Sequence, residues 1–161
     1  MIVMSTQPQE KKLIGRAEAV QFPELNSGVK VHARIDSGAR TSAIWGEARV
    51  DANGDLEVNF FGSKVVNHTF SEYGRIVVAT STGHIDKRYT VKLLVTLKGK
   101  KIRATFTIAN RKSQVYPVLI GRNILRGKFI VDVKLGKVLS AAEKKRIDSL
   151  QSHLSQEGDS I

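Results

Sequence analysis

The sequence predicts an all-β domain followed by one terminal helix, and three observations carry that reading. Apolar residues recur at every second position in several separate runs. Two of the longest runs are joined by a short glycine turn, and helical spacing appears only after Ser140. At 161 residues with 41% hydrophobic content, the chain can bury one sizeable core.

Residues 1–11 are largely polar and are expected to form a flexible tail ahead of a domain spanning 12–139. Strand character begins at Leu13. Val29, Val31, Ala33 and Ile35 share one face, with Lys30, His32 and Arg34 on the other, which is the period of a half-buried strand. The alternation returns at Leu56, Val58 and Phe60 after the turn Asn53-Gly54-Asp55, and Val65 to Phe70 is expected to pair with it across Gly62-Ser63. Trp45 is read as a core residue from the burial tendency of large aromatics, the alternative being a wall against which a ligand packs.

The clearest hairpin follows. Tyr89, Val91, Leu93, Val95 and Leu97 alternate up to Lys98-Gly99-Lys100, and Ile102, Ala104, Phe106 and Ile108 alternate on the way back. Asn110 to Ser113 is a polar break, Tyr116-Pro117 resets the chain, and Val118-Leu119-Ile120 is a short strand. Ile130 to Val133 and Val138-Leu139 are expected to close as a pair around Lys134 to Lys137. Ser140 and Glu143 have capping-box spacing, and Ile147, Leu150 and Leu154 form a narrow stripe that predicts a helix packed on the body over 140–161, fraying from Gly158.

Composition excludes several function classes. Cysteine is absent, so neither disulfides nor thiolate metal sites exist. His32, His68, His84 and His153 match no zinc spacing, and His84 with Asp86 is the single pair close enough in sequence to suggest a metal, against the plainer reading of a solvated loop. No metal and no cofactor are expected. A net charge of +11 suits acidic partners, but the cations are scattered and aromatics are 6%, so a base-stacking nucleic-acid surface is not expected. No window approaches the ~20 apolar residues of a membrane span. The chain reads as soluble and cytoplasmic, with export or fusion to a membrane protein left open.

The chemistry-bearing element is Ala33-Arg34-Ile35-Asp36-Ser37-Gly38-Ala39, a strand that stops at an aspartate. Such a strand can hold a carboxylate where water reaches it; the plain alternative is a turn, where Asp and Gly are favoured on conformational grounds. Its complement lies far downstream in Ile120-Gly121-Arg122-Asn123-Ile124-Leu125, where Gly121 permits close packing and Arg122 can serve as a structural pairing partner.

Together and in this order, Asp36-Ser37-Gly38-Ala39 and Gly121-Arg122-Asn123 resemble the retropepsin-like aspartic peptidases over about Val29 to Val133. Ile35 to Ala43 with Tyr116 to Arg122 looks like a bacterial branch of that superfamily that often carries the label "ATP-dependent zinc protease". No phosphate-binding loop or zinc spacing supports that label.

The resemblance implies an acid-protease β-barrel with one short helix after the Gly-Arg-Asn segment. It implies that Asp36 is catalytic, that Ser37 braces the active loop, that Gly38 gives access to it, and that Ala39 lines the cleft. Ser81, Thr82 and Gly83 would form a flap, and Gly121, Arg122 and Asn123 would support the site. Aspartate proteolysis needs two carboxylates, and the chain has one Asp-Ser-Gly, so the expectation is a homodimeric endopeptidase acting on peptide or protein substrates. The competing readings are a catalytically silent peptide- or partner-binding module on the same fold and a basic nucleic-acid-binding barrel.

Overall fold

The computed structural model describes residues 10–79 and 82–157. Its elements run β1 (Lys12–Ile14), β2 (Ala17–Phe22), β3 (Val29–Ile35), β4 (Ser42–Val50), β5 (Leu56–Phe60), β6 (His68–Phe70), β7 (Gly74–Ala79), β8 (Ile85–Leu97), β9 (Lys100–Ala109), β10 (Val118–Ile120), α1 (Arg122–Leu125), β11 (Phe129–Val131) and α2 (Ser140–Glu157). The expected tail lies largely outside the described residues, as does Gly158 onward.

Six strands close into a barrel in the order β10, β3, β2, β8, β9, β4, because β10 also pairs with β4. The all-β expectation is met. Closure rests on β10, which runs parallel to β3, with Ile120 opposite Ile35, and antiparallel to β4, with Val118 opposite Ile44. One three-residue strand therefore lies between the end of β3 and the start of β4, the two strands that the Asp36 loop connects. β5 and β6 extend the sheet beyond β4, and β7 pairs with the outer half of β8.

The core fills the inward side of that barrel and continues onto the buried face of β5. Phe22, Phe60, Phe106, Ile44, Leu97, Val118 and Ile120 are fully buried. Phe22 meets Phe106 edge to face at 5.4 Å. Burial of each such side chain contributes about 1.5–3 kcal/mol, so the alternating residues of β3, β8 and β9 hold the barrel closed.

Several expectations are corrected. Ile130 to Val133 and Val138-Leu139 do not pair: β11 runs parallel to β1, with Leu13 opposite Ile130, and the chain from Asp132 crosses back over β2 through Arg16 N to Leu135 O (3.0 Å) and Lys137 N to Ala17 O (2.7 Å). Of Val65 to Phe70, only His68 to Phe70 forms strand with β5.

Trp45 is not core. Its neighbours Ile44 and Gly46 point inward, so strand alternation turns Trp45 to the other face, where it packs over Gly62. The capping box does not form. Glu143 sends its carboxylate to Arg16 (2.9 and 3.0 Å) and accepts from the Tyr116 hydroxyl (3.2 Å), leaving Ser140 without it. The helix stripe is not buried either, since Ile147 and Leu150 are 54% and 48% exposed; α2 docks by polar contacts of its first turn instead.

Candidate active site

Asp36 follows directly on β3 and is half-buried, with Ser37 and Gly38 exposed beyond it and Ala39 half-buried. The Asp36 amide donates to Ile120 O (2.8 Å), which continues the β3–β10 ladder by one step. Gly38 N donates to Asp36 Oδ1 (3.0 Å), and Ala39 N to Asp36 O (3.1 Å). One carboxylate oxygen is thus fixed by the loop's own backbone. A Cβ at Gly38 would sit 3.2 Å from that oxygen, so glycine keeps the carboxylate uncrowded.

The Gly-Arg-Asn segment clamps this loop. Arg122 N donates to Ala39 O (2.8 Å), Asn123 N to Arg40 O (3.3 Å), and Arg122 Nη1 to Ser37 O (3.1 Å). A Cβ on Gly121 would overlap the Thr41 carbonyl oxygen, so only glycine allows the two segments to approach this closely. The short helix starts at Arg122 itself, so Arg122 and Asn123 form its first turn.

Two residues escaped the sequence reading. Ser42 is fully buried; its hydroxyl accepts from Gly121 N (2.9 Å) and donates to Asn123 Oδ1 (2.7 Å), while Asn123 Nδ2 donates to Thr105 O (3.0 Å). A serine two positions before Ile44, on the inward side of a strand, was the available signal. Arg111 is the second. Its Nε donates to Tyr116 O (3.1 Å), and its guanidinium lies close enough to Asp36, Arg34 and Arg88 to feel their charges. Burial, then Arg34 and Arg88, push Arg111 below its ordinary value, and Asp36 pulls the other way.

Of the flap residues, Thr82 and Gly83 sit in the turn joining β7 to β8, with Gly83 at φ +83°, while Ser81 lies outside the described residues. The hairpin runs in register from Gly74 opposite Thr90 to Ala79 opposite Ile85. Within it Asp86, the residue paired in sequence with His84, faces Arg88 at 3.6 Å. Among the described residues no group of three or more His, Asp or Glu side chains could hold a metal ion. No helix among them is long and apolar enough to cross a membrane.

The closed barrel and its strand order define the retropepsin-like class of β domains. Within that class the chain belongs to the RimB-like family: the model of that family, described as the retropepsin-like aspartic endopeptidase RimB, matches residues 13–141. A crystal structure of Lpg0085, a Legionella pneumophila protein of unknown function, shares the fold with a TM-score of 0.60 at 23% identity, over 79% of this chain and 97% of that one.

Among curated proteins, the chain is similar to a probable alpha-L-glutamate ligase of Shewanella halifaxensis, 31% identical over 131 residues, and to one of Desulfotalea psychrophila, 27% identical over 146. These matches cover 76% and 85% of this chain but 28% and 31% of those proteins, so the chain spans less than a third of their length.

Proposed function

We propose that this chain is an aspartic endopeptidase whose site is completed by a second copy of itself, with the Asp36 carboxylates of two protomers facing each other across a two-fold axis. The observation that supports it is the Asp36 loop: a half-exposed carboxylate at a strand end, with one oxygen fixed by Gly38 N and the loop clamped by Gly121 to Asn123. Peptide hydrolysis needs one carboxylate as base toward a water and a second, protonated, to polarise the scissile carbonyl. Two such groups in contact share one proton, so a symmetric pair divides both roles between identical residues.

No other aspartate of the chain is followed by Ser-Gly, so the second carboxylate comes from a partner. An isologous dimer supplies the same residue twice. In that arrangement the exposed Ser37 hydroxyls brace the two loops, Ala39 lines the cleft, and the β7–β8 hairpin closes over the bound peptide and excludes water. Substrates are peptides rich in acidic residues, a class supported by the +11 charge and by the glutamate chemistry in the names of the longer relatives. The protein acts in the cytoplasm without metal or cofactor.

A second reading follows from the names of those relatives. The same segment occupies 28% of a protein called a ligase, which suits a module that holds a peptide without cutting it. Asp36→Asn separates the two. Cleavage of an acidic peptide that disappears in the variant, with the dimer intact by sedimentation, supports the peptidase; a wild-type protein that binds the peptide and never cleaves it supports the binder.

A further inference from the structure

We propose that the cavity between β3, the 111–116 loop and the first turns of α2 is a binding site for a multiply charged oxyanion, held by Arg34, Arg111 and Arg146. The cavity is about 480 Å³, large enough for a small ligand or for two neighbouring acidic side chains. Four arginines line it, Arg16 being the fourth, against a single carboxylate, Glu143.

That carboxylate is already committed. Both its oxygens meet Arg16 Nη1, at 2.9 and 3.0 Å, and Oε1 also accepts from the Tyr116 hydroxyl. Neither Arg34 nor Arg146 meets a carboxylate among the described residues. Arg111 uses its Nε for Tyr116 O and keeps both terminal nitrogens for another acceptor. Three guanidinium groups therefore line one cavity whose single lining carboxylate, Glu143, is paired with Arg16, and Asp36 is the neighbouring acid that acts on Arg111.

Holding like charges together opposes folding, and Arg111 records the strain: burial, Arg34 and Arg88 all disfavour its charged form. A ligand with two or more anionic oxygens removes that opposition. Guanidinium is also the group best shaped for it, since its planar donors match carboxylate and phosphate two at a time. The chemistry fits a free diphosphate-like anion or adjacent carboxylates of a bound acidic peptide. Arg34 lies two residues before Asp36, so either ligand would sit beside the candidate catalytic loop.

The test is calorimetric titration of inorganic pyrophosphate into the full chain at low salt. One site per chain is expected, weakened at least tenfold in Arg34→Gln/Arg146→Gln and unchanged in Lys64→Gln/Lys92→Gln, which removes the same charge elsewhere. Single Arg146→Gln, with unfolding curves for every variant, guards against a folding defect in the double variant and is expected to weaken binding in the same direction. Equal loss in both double variants, or no binding to the wild-type chain, overturns the proposal in favour of diffuse attraction to a basic surface.

A second arm uses the Asp36→Asn protein and a glutamate-rich peptide. Competition with pyrophosphate assigns the site to the peptide, and simultaneous binding assigns it to a free anion. This arm alone rests on the peptidase reading. A peptide that fails to bind counts against that reading and leaves the pyrophosphate result standing.

Discussion

Arg122 Nη1 donates to the carbonyl oxygen of Ser37 across 3.1 Å, joining the first turn of α1 to the loop that presents Asp36, 85 residues earlier in the chain. The bond is exposed and contributes about 1 kcal/mol at most to global stability. Its larger effect is on position, since in the proposed dyad the Asp36 carboxylate would tolerate little displacement. Arg122→Ala is expected to lower the urea midpoint only slightly while reducing peptide cleavage by tenfold or more. Parallel denaturation and cleavage measurements check this, and a cleavage rate equal to wild type would remove Arg122 from the positioning role.

Ser42 is the buried joint of the same clamp. Ser42→Ala leaves the buried Gly121 N–H without its partner and removes the donor to Asn123 Oδ1. Leaving such a group unpaired costs about 1–3 kcal/mol. The expected outcome is a loss of that size in chemical denaturation. Ser42→Thr keeps the hydroxyl and is expected to recover part of it.

The barrel was legible where one face of a strand is apolar and the other is not. β3, β8 from Val91 onward and most of β9 follow that rule, Thr107 being buried between Phe106 and Ile108 as an exception, so Val29 to Ile35 and the hairpin around Gly99 could be placed from spacing alone. β4 could not, because its inward positions are Ser42, Ile44 and Gly46, a polar and a minimal side chain flanking one apolar one. Their identities are set by the clamp and by close approach: a Cβ at Gly46 would meet Asn59 O at 3.1 Å. Trp45 was misplaced for the same reason, its strand being invisible. The pairing of β11 with β1 was hidden by distance, since Leu13 and Ile130 are neighbours only after the barrel has closed. Local pattern likewise assigns Glu143 to Ser140, whereas the fold brings Arg16 and Tyr116 within reach.

His68 makes stability depend on pH. Its ring lies 5.8 Å from Phe60, Nε2 accepts from Asn26 N (3.2 Å), and burial holds its pKa below the ordinary value of 6.5. The folded chain then binds fewer protons than the unfolded chain in the window between the two values. The stabilisation is whole above about pH 6.5 and is lost as pH falls through the depressed folded value. Melting temperature is expected to drop between pH 7.5 and 5.5, and to drop less in His68→Gln. An unchanged slope in the variant would assign the pH response to other groups.

Tyr116 carries the attachment of α2. Its hydroxyl accepts from Leu139 N (3.0 Å) and donates to Glu143 Oε1 (3.2 Å), so one oxygen satisfies the amide that leads into the helix and orients the carboxylate that pairs with Arg16. Burial raises the pKa of this phenol first, and the Glu143 charge raises it further, which keeps the hydroxyl protonated and able to donate across the ordinary pH range. Tyr116→Phe keeps the ring but strands the Leu139 amide, at a cost of about 1–2 kcal/mol. The barrel does not depend on that bond, so the loss is expected to concentrate in α2: faster amide exchange over 140–146, with β3, β8 and β9 still protected. Glu143→Gln gives the complementary result. It keeps an acceptor for Tyr116 but removes the charge opposite Arg16, so helix exchange is expected to rise less than in Tyr116→Phe. If both variants left exchange in α2 at the wild-type rate, the helix would have to be held by apolar contacts that the exposure of Ile147 and Leu150 argues against.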